Sequence, residues 1–150
     1  MEKLLILGFY GIGKTTYAKK HDHVIDITDF KTDDMPDINN LIKYYEDPQY
    51  DIIIADPQWT PVFIKSGYPF YIIIPKETRK EEFLQNFRSR AADGSWKGDV
   101  DTFLDVVDKC WYGWLDMLKY RIPCQGSFVL REGEWFKEGL NKILEYKKMR

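Results

Sequence analysis

Residues 4–15 read Leu4-Leu5-Ile6-Leu7-Gly8-Phe9-Tyr10-Gly11-Ile12-Gly13-Lys14-Thr15. The last eight match G-x-x-x-x-G-K-[ST], a glycine-rich phosphate-binding loop. An apolar run precedes it and the helix-compatible Thr15-Thr16-Tyr17-Ala18-Lys19-Lys20 follows, which is the strand–turn–helix context that the motif requires. Gly8, Gly11 and Gly13 let the backbone turn tightly, partly at positive φ, and bring its N–H groups, with those of Ile12 and Thr16, against phosphate oxygens. The helix start adds oriented donors and a positive dipole end. Lys14 is expected to reach the β- and γ-phosphates, and the Thr15 hydroxyl to ligate Mg²⁺. The stretch predicts binding of a nucleoside triphosphate.

Apolar strand candidates recur at 3–8, 23–27, 51–55, 70–75 and 127–131, several rich enough in isoleucine to be buried on both faces. Helices are expected between them at 14–20, 36–46, 77–90, 99–119 and 134–147. The fourth carries Val100, Phe103, Leu104, Val107, Trp111, Trp114, Leu115 and Leu118 at helical spacing. Alternating strands and helices imply an α/β domain with a parallel sheet and right-handed crossovers. With 150 residues and 44% hydrophobic content, one domain over 1–150 with a substantial core is expected.

Apolar runs of four to six residues fall far short of the ~20 that span a bilayer. Glu2 and the immediate entry into the first strand leave no signal-peptide pattern. Cys110 and Cys124 lack metal-ligand spacing and read as reduced thiols, so the cytoplasm is the expected compartment. A net charge of −2 argues against strong nonspecific nucleic-acid binding.

In open α/β sheets ligands gather beyond the carboxyl ends of the strands. Asp26 and Asp29 follow the second strand, where one could orient or deprotonate an acceptor hydroxyl and the other hold Mg²⁺ or the acceptor; a cap on the next segment is the plain alternative. Asp56 ends the apolar third strand, as in a Walker B strand whose carboxylate holds Mg²⁺. An Asp-Pro turn is the plain alternative. Arg88 and Arg90 adjoin the glycine-containing stretch 91–98 and suit a closing lid around 77–98. Arg79 reads as a solvated helix pair with Glu82. His21 and His23 read as a solvated turn, and Trp59 and Trp96 fall in expected loops, where either could stack on a base.

Together these features resemble the P-loop kinases of the nucleoside-monophosphate-kinase-like group, and more closely small phage-type P-loop kinases of about this length. The matching parts are the loop at 8–15, the Val24-Ile25-Asp26 strand with Asp29 beyond it, and the stretch 70–90 that leads from strand four into an arginine-bearing helix. The resemblance implies a three-layer P-loop NTPase fold with the sheet in 2-3-1-4-5 order, ATP as donor and Mg²⁺ as cofactor. It carries nucleotide binding to Gly13, Lys14, Thr15 and Thr16, and lid roles to Arg88 and Arg90. A Rossmann reading fails, because glycines at 8, 11 and 13 do not form G-x-G-x-x-G.

The chain departs from that group in two respects, and one is a closing stretch of the lid shortened to Arg88-Ser89-Arg90. Relatives that phosphorylate a nucleotide hold the acceptor phosphate with arginine from the region after strand two. Here residues 29–56 carry eight acidic side chains against Lys31 and Lys43, and no arginine precedes Arg79. The expected activity is γ-phosphate transfer to a small hydroxyl-bearing acceptor, nucleoside or sugar-like rather than a nucleoside monophosphate. An NTP hydrolase or switch acting through a protein partner, and a nucleotide-binding module without turnover, are the alternatives.

Overall fold

A computed structural model describes residues 3–28, 35–94 and 98–149. Five strands, β1 Leu4–Gly8, β2 Val24–Asp26, β3 Ile52–Ala55, β4 Tyr71–Pro75 and β5 Gly126–Leu130, form one sheet in the order β2-β3-β1-β4-β5. Every pairing is parallel. Parallel neighbours need crossovers, and the helices that supply them cover both faces, giving three layers. The central strands β1 and β4 are buried along their whole length, as their unbroken apolar runs anticipate.

Six α-helices follow in chain order: α1 Lys14–Lys19, α2 Ile38–Glu46, α3 Thr60–Ser66, α4 Lys80–Ala92, α5 Val100–Asp116 and α6 Phe136–Lys148. α1 packs with α6, α2 with α3, and α4 with α5. α5 runs on into a π turn at Met117–Arg121. Asp37 caps α2 by accepting from Asn39 N at 3.2 Å, so the helix begins two residues later than Pro36 suggests. Asp99 caps α5 in the same way through Thr102 N.

Two expectations need correction here. α3 was not anticipated: Asp56-Pro57 reads as a loop, yet Asp56 Oδ1 accepts from Gln58 N and starts a 3₁₀ turn, Pro57–Trp59, that runs straight into the helix. Proline suits the first turn because its missing N–H would be unpaired there anyway. Trp59 is consequently 1% exposed, a core residue rather than a base-stacking one. Arg79 does pair with Glu82, at 2.8 Å, but it is buried rather than solvated. Its guanidinium also donates to the carbonyls of Arg131 and Glu134 at 2.9 and 2.8 Å. It lies over the rings of Phe83 and Trp135 and ties the end of β4 to the end of β5.

Candidate functional site

Register brings the charged residues together. Leu7 pairs with Ala55, and Asp26 with Ile54, so Asp26 and Asp56 reach the carboxyl edge of the sheet beside Gly8, where the chain leaves β1. The loop 9–13 then rises to α1 through Gly11 at φ 77° and Gly13 at φ 97°. Both values lie in the left-handed region that glycine alone enters cheaply. Ile12 is fully buried and its carbonyl accepts from Phe136 N at 2.8 Å, so α6 pins the loop from below. Thr16 is exposed on the first turn of α1.

Lys14 is 7% exposed and its Nζ turns back on the loop, donating to Gly8 O at 2.8 Å and Phe9 O at 2.9 Å. Its stem crosses Gly8 so closely that a Cβ there would lie 2.7 Å from Lys14 Cδ. Burial holds the ammonium below its ordinary pKa, while Asp26 and Asp56 oppose that shift and Arg90 adds to it. The Thr15 hydroxyl donates to Asp26 Oδ2 at 2.7 Å, and Asp26 Oδ1 accepts from both the N–H and the hydroxyl of Thr28 at 3.0 and 2.6 Å. Burial lifts the Asp56 carboxyl above the usual range, and the charge of Lys14 and the Gln58 N–H moderate the shift.

Three aromatic rings from α4 and α5 roof the loop. Phe87 of α4 lies on Gly11. Tyr10 packs against Phe103 at 5.6 Å and Trp114 at 5.9 Å, both on α5. Lys14 Nζ lies 5.8 Å from the Tyr10 ring centroid. Burial, then the charge of Asp56, pushes the Tyr10 phenol well up, and the Gln58 side chain moderates the shift. Tyr10 and Gln58 went unnoticed in the sequence, because one fills a variable position of the motif and the other follows an apparent loop proline. The only hint was two consecutive aromatic residues, Phe9 and Tyr10, inside a glycine-rich loop.

The two arginines expected in a lid part company. Residues two apart on a helix point about 200° apart. Arg90 is close enough to Lys14 to depress its pKa. Arg88 instead lines a small groove between α4 and α5 with Glu81, Leu84, Asp105 and Asp108. Asp29, Lys31 and Trp96 lie outside the described residues. His21 is half-buried rather than solvated, stacked on Tyr17 at 4.1 Å.

No family model matches the chain, and no curated protein does. A solved structure of an uncharacterized protein from Eubacterium ventriosum superposes with a TM-score of 0.50 at 12% identity, over the whole of both chains. The two share a fold. No helix among the described residues is long and apolar enough to cross a membrane.

Proposed function

We propose that this chain is an ATP-dependent P-loop kinase that transfers the γ-phosphate to a small hydroxyl-bearing acceptor, nucleoside or sugar-like. The observation that carries this reading is the loop 8–15 in its strand–turn–helix setting, with Lys14 parked on the Gly8 and Phe9 carbonyls and Thr15 bonded to Asp26. Those carbonyl contacts hold the ammonium over the loop, and an arriving phosphate replaces them with charge-assisted bonds. Backbone N–H groups of the loop supply the remaining donors.

Among the described residues no three His, Cys, Asp or Glu side chains are grouped to hold a metal. Mg²⁺ does not need such a cage, since it keeps several waters and takes one or two protein oxygens plus phosphate oxygens. The Thr15–Asp26 pair fits that demand: a hydroxyl that donates to a carboxylate keeps its own lone pairs for a hard cation. Bound there, the ion would neutralise charge that builds up on the phosphates. Arg90 suits a similar role from α4.

The acceptor side favours an unphosphorylated molecule. Arg79 is occupied by Glu82 and backbone carbonyls, and Arg88 by the α4–α5 groove. Among the described residues 35–64 the one cation is Lys43, which lies over Tyr44 on α2. The test is ADP release from Mg-ATP, alone and with panels of nucleosides, sugars and nucleoside monophosphates, with Lys14→Ala as control. A Lys14-dependent rate that rises with one hydroxyl acceptor supports the kinase. A flat Lys14-dependent background moves the reading to a hydrolase or switch, and efficient use of a nucleoside monophosphate overturns the acceptor class.

A further inference from the structure

Two aspartates stand at the carboxyl edge beside the loop, and their hydrogen bonds differ in a way that divides their work. Asp26 is committed: Oδ1 takes two donors from Thr28, and Oδ2 takes the Thr15 hydroxyl. What remains of its capacity lies next to Thr15 Oγ1, where a cation would share both oxygens. Asp56 carries a single bond, from Gln58 N to Oδ1 at 3.0 Å, and among the described residues nothing donates to its Oδ2. It follows β3 directly and stands level with Gly8, the residue whose carbonyl anchors Lys14 Nζ. Tyr10 of the loop and Gln58 of the turn after β3 are its neighbours there, and Asp56 is half-buried between core and solvent.

Resting on the kinase reading above, we propose that Asp56 accepts the proton of the acceptor hydroxyl, and that the metal belongs to Thr15 and Asp26 instead. The acceptor oxygen forms its bond to the γ-phosphorus as the bond from that phosphorus to the β,γ-bridging oxygen breaks. ADP departs with that electron pair. The hydroxyl proton passes to Asp56 Oδ2 and then to solvent. Lys14, Asp26 and Tyr10 are the charged and titratable groups facing Asp56. Of these, only Lys14 favours the ionised carboxylate that a base requires.

The test compares Asp56→Asn and Asp26→Asn in two measurements. The first is Mn²⁺ affinity, by electron paramagnetic resonance, of protein saturated with a non-hydrolysable ATP analogue. The second is turnover of Mg-ATP with water and with the hydroxyl panel. Asparagine keeps the Gln58 N–H bond, so Asp56→Asn should fold, which circular dichroism checks. Asp56→Asn is expected to leave Mn²⁺ affinity unchanged within about twofold while turnover falls by about 10² or more at unchanged KM for ATP. Asp26→Asn should weaken Mn²⁺ by about tenfold or more. Equal loss of Mn²⁺ affinity in both variants, or unchanged turnover in Asp56→Asn, overturns the assignment and leaves the kinase reading standing. Wild-type protein that fails to bind the analogue, or transfers phosphate to nothing including water, overturns the kinase reading and this proposal with it.

Discussion

Phe87 occupies the space that a side chain on Gly11 would need: a Cβ there would fall 2.7 Å from Phe87 Cε1 and 3.0 Å from Cζ. The glycine-rich loop is therefore shaped by α4 as well as by its own sequence. Phe87 is 1% exposed and also meets Phe103 at 5.2 Å, so the contact joins α4, α5 and the loop.

Gly11→Ala should then fail twice, through the clash and through the positive φ of 77°. Phe87→Leu relieves the first fault and leaves the second, so the double variant should recover only part of the loss. Phe87→Ala alone should destabilise by about 3–5 kcal/mol, as for other buried phenylalanines. Urea midpoints of the four proteins check this. Full recovery in the double variant would show that backbone strain at Gly11 is unimportant.

Arg79 gives a second expectation. Its guanidinium makes two bonds to Glu82 and donates to three backbone carbonyls, of Leu130, Arg131 and Glu134. Arg79→Ala leaves those carbonyls short of donors inside the protein, and the loss should be about 3–5 kcal/mol. Arg79→Lys should rescue little, because an ammonium cannot match the fork that a guanidinium presents to a carboxylate. Glu82→Ala should cost less than Arg79→Ala, since Glu82 is 38% exposed and water can take its place. Denaturant unfolding of the three variants ranks them.

These cases mark how far the sequence could be read. Apolar runs located all five strands to within about a residue at each end: β1 and β4, buried along their length, admit almost nothing else, and β5 was still marked by Phe128-Val129-Leu130. The spacing of Val107, Trp111 and Leu115 located α5, because a helix packed on a sheet buries one stripe at that period. α3 stayed hidden because Asp-Pro has two uses, ending a strand in a loop or capping a helix, and only the packing of Trp59 and Phe63 selects the second. Arg79–Glu82 was visible as an i, i+3 pair, but its burial depends on carbonyls 51 to 55 residues away. Arg88 and Arg90 looked like one unit in sequence and lie on opposite sides of α4. At the site itself, Lys14 and Thr15 were fixed by their motif. Asp26, Asp29 and Asp56 looked alike in the sequence, and the Thr15 and Thr28 bonds that set Asp26 apart are ones no spacing rule supplies.

Asp56 also makes the site a source of instability. Its pKa is raised in the folded protein by burial, so the native state holds more protons than the unfolded chain just above the normal carboxylate range. Stability from this group is therefore fullest below its unfolded pKa of about 4 and declines as pH rises through the higher folded value. Asp56→Asn should remove that decline and raise the melting temperature of the nucleotide-free protein at neutral pH. Thermal melts of both proteins at acid and neutral pH check the sign. An Asp56→Asn protein that is less stable at neutral pH would show that the Lys14 charge outweighs burial.

Equilibrium titration with a fluorescent ATP analogue asks whether the loop 8–15 holds a nucleoside triphosphate through Lys14 and Thr15. Wild-type protein should bind the analogue, more tightly with Mg²⁺ than without. Lys14→Met should fold and lose binding under both conditions, and Thr15→Val should lose chiefly the enhancement by Mg²⁺. Absence of binding to the wild type, or undiminished binding to Lys14→Met, would mean that the loop is not a nucleotide site.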